Sequence, residues 1–454
     1  MLLDMPASPE TKRARRNVHR LSTLWVALIV VLTSLPILKV GEVQFLEFLQ
    51  AGRLLVVVLL GACAGFTFPA RGIWRDYGPM YLALLGAYLG SGLLSLRLNS
   101  YPPPETSLLK QPLLISLSRT AEILLATYFT LALVDTFQRN RRLLRIALDL
   151  YCIIGGASAL LSMASVILVK TSGVYLYFVY GEDARVRGFF NEAGPYGVYL
   201  VSVILALFLR AHLFPRGLLW VRRVFLAAVL AAFYQSASKA GFLAVLGICG
   251  IVGLLAARAR QRIVVLAGLA VFGTLTWITL QEQFANYWRD YSVFEELVIS
   301  RSDDPSLIMG RIAGTIIVPR MIAQHPWLGI GIGNYPLMRN NPDYLQDLPV
   351  VTEWDLPGLG LVGSAAEFGI PLTIALLLIL LRPLIQARRR LSPLIVLAVA
   401  AFQPVAALAG VNLNFFYPWF ITALALSVLP EVSPAPRTTR RSRRLIPRRT
   451  AAVG

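Results

Sequence analysis

The sequence predicts an all-α fold: a polytopic transmembrane helical bundle of about a dozen spans, with one large, partly helical loop on the outer side. Three observations predict it. Hydrophobic residues make up 56% of the 454 positions and charged residues only 15%, where a soluble chain is about half apolar and a quarter charged. Mean hydropathy is +0.65. The charges fall in short clusters between apolar runs that recur along nearly the whole chain, and a hydrocarbon core about 30 Å thick needs roughly 20 apolar residues per helix.

The predicted spans lie near 21–40, 46–68, 77–96, 113–134, 146–169, 195–213, 219–236, 240–257, 263–281, 362–381, 391–409 and 416–430. With the N-terminus inside, the inner connectors carry Arg71 and Arg75; Arg139, Arg141, Arg142 and Arg145; Arg210, Arg216, Arg222 and Arg223; Arg258, Arg260 and Arg262; and Arg382 with Arg388, Arg389 and Arg390. Every inner segment is then basic, and a single missed span would invert all later ones. The layout that follows is a basic cytoplasmic tail (1–20), nine spans (21–281), a large periplasmic loop (282–361), three spans (362–430) and a second basic cytoplasmic tail (431–454). The run 21–40 is long enough to span and follows a polar, basic start, so it reads as a retained first helix rather than a cleaved signal. The basic tails suit anionic headgroups of the inner leaflet of the membrane.

The net charge of +19 would suggest nucleic acid in a soluble protein. Here the cations cluster at helix ends and in both termini, the pattern that sets membrane orientation, so a nucleic-acid partner is not expected. Cys63, Cys152 and Cys249 all lie inside apolar runs and read as core or lipid-facing thiols, not as a disulfide or metal set.

Three outer clusters contain chemistry-bearing residues. The first is Arg185-Val186-Arg187-Gly188-Phe189-Phe190-Asn191-Glu192-Ala193-Gly194-Pro195, entering the sixth span. The second is the tight turn Ser236-Ala237-Ser238-Lys239-Ala240-Gly241. The third lies in the large loop: Gly310-Arg311, then Arg320, then His325-Pro326-Trp327-Leu328-Gly329-Ile330-Gly331-Ile332-Gly333-Asn334-Tyr335. Arginines on the outer side run against the topological bias. A guanidinium is a fixed fork that binds phosphate bidentately, so these cations suit a lipid-linked pyrophosphate whose tail stays in the bilayer. They would also stabilise the charge that develops as that diphosphate leaves. An outer arginine serves equally well as an interfacial anchor, and His325 before a proline equally well ends a helix. The glycines 329, 331 and 333 permit close backbone approach to a ligand or a helix. No strand–helix unit frames them, so a nucleotide loop is not implied. Arg119 and Glu122, three residues apart in the fourth span, pair on one helical face, as a functional pair or a structural brace.

Arg187-Gly188 followed by Asn191 resembles the arginine–glycine…asparagine element of the O-antigen ligase/polymerase superfamily. Ser238-Lys239-Ala240-Gly241 is similar to its serine–arginine–small–glycine turn, with lysine in place of arginine. Gly310-Arg311 with His325 to Tyr335 resembles its glycine-rich loop element, and Glu367-Phe368-Gly369-Ile370-Pro371 resembles the glutamate–x–glycine start of the helix after the large loop. The resemblance implies a metal-independent, cofactor-free glycosyltransferase that moves glycans from undecaprenyl pyrophosphate. Arg187 and Arg311 would bind the pyrophosphate, with Lys239 or Arg320 assisting. Asn191, Gly329, Gly331, Gly333 and Asn334 would shape the loops.

One departure stands out. The superfamily's ligases have a histidine–asparagine pair eleven residues before the glycine that corresponds to Gly369. Here those positions are Gly358 and Leu359. The missing pair favours a repeat-unit polymerase over a ligase and leaves Glu353, Asp355 or His325 to activate the acceptor hydroxyl. The expected partners are a lipid-linked glycan donor and acceptor, membrane lipids and a chain-length regulator. A ligase acting on lipid A-core is the alternative within the family. A transporter is the alternative of another class, though internal repeats and midplane charges are not apparent.

Overall fold

The computed structural model describes residues 9–34, 71–102, 111–180, 184–190, 192–215, 219–256, 258–292, 311–346, 348, 350, 359–413 and 415–429. Among them the elements in chain order are α1 (Pro9–Ser34), α2 (Arg71–Leu94) with a 3₁₀ turn (Ser95–Arg97), α3 (Pro112–Arg139), α4 (Arg141–Ser172), the two-residue strands β1 (Val179–Tyr180) and β2 (Arg185–Val186), α5 (Ala193–Leu213), α6 (Leu219–Ser236), α7 (Lys239–Leu255), α8 (Ala259–Ser292), α9 (Arg311–Gln324), α10 (Tyr335–Met338), α11 (Pro342–Leu345), α12 (Leu361–Phe368), α13 (Ile370–Arg389), α14 (Leu394–Leu408) and α15 (Phe416–Val428). The fold is a helical membrane bundle. Among the described residues six helices have the length and composition to cross a bilayer: Tyr77–Arg97, Pro112–Arg139, Arg141–Ser172, Ala193–Leu213, Ala259–Ile278 and Ile370–Arg389. Four shorter apolar helices join them: Arg20–Ser34, Lys239–Leu255, Leu394–Leu408 and Phe416–Val428.

The expected spans coincide with helices apart from two. The second, 46–68, lies outside the described residues. The tenth, expected at 362–381, is broken at Gly369, so the long apolar helix runs from Ile370 to Arg389 and a separate short helix, α12, precedes it. Gly369 has φ +82°, and a methyl group there would stand 2.3 Å from the Trp327 carbonyl oxygen. That conformation and that contact admit only glycine. The expected loop helix near 310–324 forms as α9, while the one near 283–299 is described only as far as Ser292, where it continues α8.

Lipid tails are as apolar as leucine, so helices associate by close packing and interhelical hydrogen bonds rather than by water exclusion. The sequence of α4 supplies both. A methyl group at Gly155 would meet Val203 of α5 at 2.5 Å, and one at Gly156 would meet Phe225 of α6 at 2.3 Å, so these helices approach to glycine distance. Across the same seam Tyr151 pairs with Ser202 at 2.6 Å, and the Tyr196 hydroxyl lies 3.2 and 3.3 Å from Ser158 and Ser162. Asn140 caps α4 by accepting from the Arg142 amide, and Gly173, at φ +69°, closes its other end. Buried side chains of α1, α3–α7 and α13–α15 form the main core. A second cluster joins α2, α3, α12 and α13, and a third joins α9–α12. Cys152 is buried and Cys249 half-buried, both free; Cys63 lies outside the described residues.

The connectors meet in two sets, as alternating spans require. At one end the α2–α3 connector binds the large loop segment, with the Tyr101 amide donating to the Leu337 carbonyl at 2.7 Å and Asn334 bonding Ser95 at 3.0 Å. The α6–α7 turn binds the α4–α5 connector, which in turn meets the start of α15. At the other end Arg141 donates to the Ser427 carbonyl at 3.1 Å, Arg145 and Arg210 flank Asp149, and Arg382 stacks on Tyr77 at 4.3 Å.

Candidate active site

The first two sequence clusters fold into one unit. β1 and β2 pair antiparallel, Val179 with Val186 and Tyr180 with Arg185. This ribbon sets Arg187 beside Tyr177: its guanidinium lies 4.3 Å from the ring centroid and its Nε donates to the Tyr177 carbonyl at 2.6 Å. Arg185 reaches the α6–α7 turn, donating to the Ser236 carbonyl at 3.2 Å from Nη2. Ser238 caps α7 by accepting from the Gly241 amide at 3.0 Å and donates to the Gly194 carbonyl at 2.8 Å. Lys239 is the first residue of α7, next to that bond. Asn191 lies outside the described residues.

The third cluster folds onto α12. Ile330 donates to the Ala366 carbonyl at 2.9 Å, Gly331 to the Glu367 carbonyl at 2.7 Å, and Ile370 to the Pro326 carbonyl at 2.8 Å. Gly329, Gly331 and Gly333 are buried at φ +66°, +94° and +74°. A methyl group at Gly329 would stand 2.4 Å from the Glu367 carbonyl carbon. The glycine series therefore lets two backbones lie against each other. Asn334 is wholly buried, its Nδ2 donating to Ser95 Oγ, Ser116 Oγ and the Ile330 carbonyl at 3.0, 3.2 and 3.2 Å.

This docking opens a cleft of about 70 Å³, open at its mouth, between α3, the glycine loop, α12 and the α14–α15 connector. Its polar lining is Arg119, Glu122, Ser364, Glu367 and Asn412, with Gly333, Ile332 and Phe368 among the rest. Arg119 and Glu122 form the expected pair at 2.8 Å. The backbone amides of Gly333 and Tyr335 hydrogen-bond the Glu367 carboxylate. Burial nonetheless pushes its pKa up to about 7, opposed by the Gly333 amide, the Arg119 cation and the Tyr335 amide in that order. The carboxyl group is thus poised to gain or lose a proton near neutrality.

The other expected site residues lie elsewhere. His325 follows α9, its ring edge-on to Tyr344 at 6.1 Å, with burial holding its pKa below the usual histidine value. It does not line the cleft. Arg320 Nη1 donates to the Tyr344 and Leu345 carbonyls at 2.9 and 3.2 Å, tying α9 to α11. Arg311 is the first residue of α9, and nothing is described of its side chain. Glu353 and Asp355 lie outside the described residues.

One connector joins the two halves. Phe190, three residues beyond Arg187, packs on Phe415 at 6.0 Å, and the Phe415 amide donates to the carbonyl of Asn412, which lines the cleft. Tyr417 donates to the Pro195 carbonyl at 3.4 Å. The segment that follows Arg187 and the cleft therefore both touch the α14–α15 connector, at one end of the bundle. Sequence reading singled out Glu367 only as part of a resemblance and never placed Asn412 or Ser364 in a site.

A family model described as O-antigen ligase matches residues 224–377. The match takes in the α6–α7 turn, the glycine loop and α12, while Arg187, Arg119, Glu122 and Asn412 lie outside it. No curated protein matches the chain.

Proposed function

With the match at residues 224–377 supporting membership of the O-antigen ligase/polymerase superfamily, we propose that this membrane glycan-processing enzyme is a repeat-unit polymerase. The growing chain on undecaprenyl pyrophosphate is the donor and a second lipid-linked repeat the acceptor. The acceptor hydroxyl attacks the anomeric carbon, and undecaprenyl pyrophosphate leaves. The observation that carries this reading is the meeting of the connectors at one end of the bundle, where a cationic ribbon and a charged cleft share contacts with one connector. Two substrates anchored in the same leaflet require two polar pockets side by side at one membrane face. Arg187 and Arg311, assisted by Lys239, grip the diphosphate, where a fixed fork of charge-assisted donors is most effective. Gly358 and Leu359, in place of the histidine–asparagine pair of the ligases, support polymerase over ligase.

The same reading places the protein in the bacterial inner membrane, with both termini cytoplasmic and the site on the periplasmic side. Accessibility tags in residues 282–361 are expected to be modified from outside; modification only from the cytoplasm would overturn the orientation and with it the diphosphate-gripping role. The activity is tested with Arg187→Ala and Arg311→Ala in a strain dependent on this gene. Single repeats should accumulate and long chains disappear. Normal polymer in both variants counts decisively against the assignment. Polymer stranded on the lipid carrier in a deletion strain identifies the ligase instead.

A further inference from the structure

Three carboxylates or imidazoles could activate an acceptor by sequence reading, yet none of them is described within the cleft. The group that is there is Glu367. It is the penultimate residue of the short helix α12, just before Phe368 and the break at Gly369. Two backbone amides from the glycine loop fix its carboxylate, and Arg119, itself anchored to Glu122, lies within electrostatic reach. The neighbouring wall is polar, with Ser364 one helical turn away and Asn412 on the opposite connector, groups suited to sugar hydroxyls. The titratable groups that face it are Arg119 and Glu122 from α3 and Tyr88 from α2.

We propose that Glu367 is the catalytic base for the acceptor and that the cleft is the acceptor-sugar subsite. The proposal rests on the glycosyl-transfer reading and deepens it. The acceptor O–H bond breaks and its proton passes to the Glu367 carboxylate. The freed oxygen lone pair forms the bond to the anomeric carbon, and the bond from that carbon to the diphosphate oxygen breaks. The electron pair leaves with undecaprenyl pyrophosphate, and Glu367 then loses its proton to solvent through the open mouth. Its pKa near 7 is that of a base able to accept this proton at neutral pH. Arg119 is a positioning residue, since it acts through Glu367 and Glu122.

The test uses the full-length protein in liposomes with lipid-linked repeats, reading release of undecaprenyl pyrophosphate. Glu367→Gln keeps an oxygen to accept from Gly333 and Tyr335 but takes no proton. It should lower turnover by about 10²- to 10⁴-fold with donor binding unchanged. Glu367→Asp should retain activity with a displaced acid limb in the pH–rate profile, a shift that a purely structural glutamate would not produce. Turnover of the Gln variant within about threefold of wild type overturns the proposal. If that variant does not fold, an unmoved acid limb in the Asp variant overturns it equally. A lipid A-core acceptor is run in parallel. Transfer to it alone rejects the polymerase reading while the Gln-to-wild-type ratio still judges the base. No diphosphate release from wild-type protein with either acceptor rejects both.

Discussion

Arg119 lies directly against Gly333: a methyl group on the glycine would stand 2.6 Å from the arginine's Cγ and 2.8 Å from Ile115 Cγ2. The loop that binds the Glu367 carboxylate through its amides therefore also presses on the stem of the cation facing that carboxylate. Any side chain at residue 333 moves Arg119, the loop or both.

Gly333→Ala should thus damage site and fold together. Its φ of +74° is a left-handed conformation that costs an alanine of order 1 kcal/mol or more, before the overlap is relieved. Transfer activity should fall and the melting temperature in detergent should drop. Gly86→Ala in α2 is the control, since a methyl group there meets nothing within 4 Å. It should be neutral or stabilising by about 0.5–1 kcal/mol. Equal melting temperatures for the two variants would reject the packing account.

Asn334→Ala removes the amide that donates to two serine hydroxyls and one carbonyl in a wholly buried position. The serine hydroxyls keep their bonds to the Gly92 and Ile332 carbonyls, so the loss is of the bonds from the amide, each worth about 0.5–1.5 kcal/mol. The α2–α3 connector should loosen from the glycine loop, which hydrogen exchange of residues 95–101 would read as faster exchange. Unchanged exchange there would show that the amide does not hold the connector.

A third prediction concerns the junction of the first two clusters. A methyl group at Gly197 would stand 2.2 Å from Ser238 Cβ and 2.6 Å from its Oγ. Gly197→Ala should therefore destabilise strongly. Adding Ser238→Gly removes the overlapping atoms at the price of the bond to the Gly194 carbonyl, and glycine is only a few tenths of a kcal/mol worse than serine as a helix cap. The double variant should melt above Gly197→Ala alone, a favourable coupling that an additive pair of distant sites would not show.

The helices were legible because a bilayer demands long apolar runs, and those runs punctuate the chain with basic clusters. The break at Gly369 was not. Within the apolar run 362–381, which also holds Gly363, Gly369 reads as a tolerated helix residue; Pro371, at the start of α13, was the signal present, and the approach of the Trp327 carbonyl from a distant segment is what requires glycine there. Likewise the glycine loop announced close packing, but not its target, α12. Arg119 and Glu122 were visible as an i, i+3 pair on one helix face. Their convergence with Glu367 was hidden, because it depends on tertiary contacts between α3, the loop and α12. Arg320 read as a phosphate ligand, and the two α11 carbonyls that its Nη1 meets were not visible in the sequence. The signal for that short helix, Asn341 before Pro342, was present in the sequence: the Asn341 side chain accepts from the Asp343 amide.

Glu367 finally ties pH to stability. Its carboxyl group goes from an ordinary value of 4.5 in the unfolded chain to about 7 in the native one. Between those values the native protein keeps a proton that the unfolded chain has released, so stability falls as pH rises through the interval and levels off above it. Glu367→Gln has no such proton. Below about pH 4 the two proteins should differ little in melting temperature, because the wild-type carboxyl group is neutral in both states. Above neutrality the wild type carries a charge that burial disfavours, so the Gln variant should melt higher, although its activity is lost. Arg119→Met, which removes the opposing cation, should raise the native pKa further and carry the decline to higher pH. A melting difference between Glu367→Gln and wild type that stays flat across this range would mean the carboxylate is not raised, and a difference of opposite slope would mean it is held below its ordinary value.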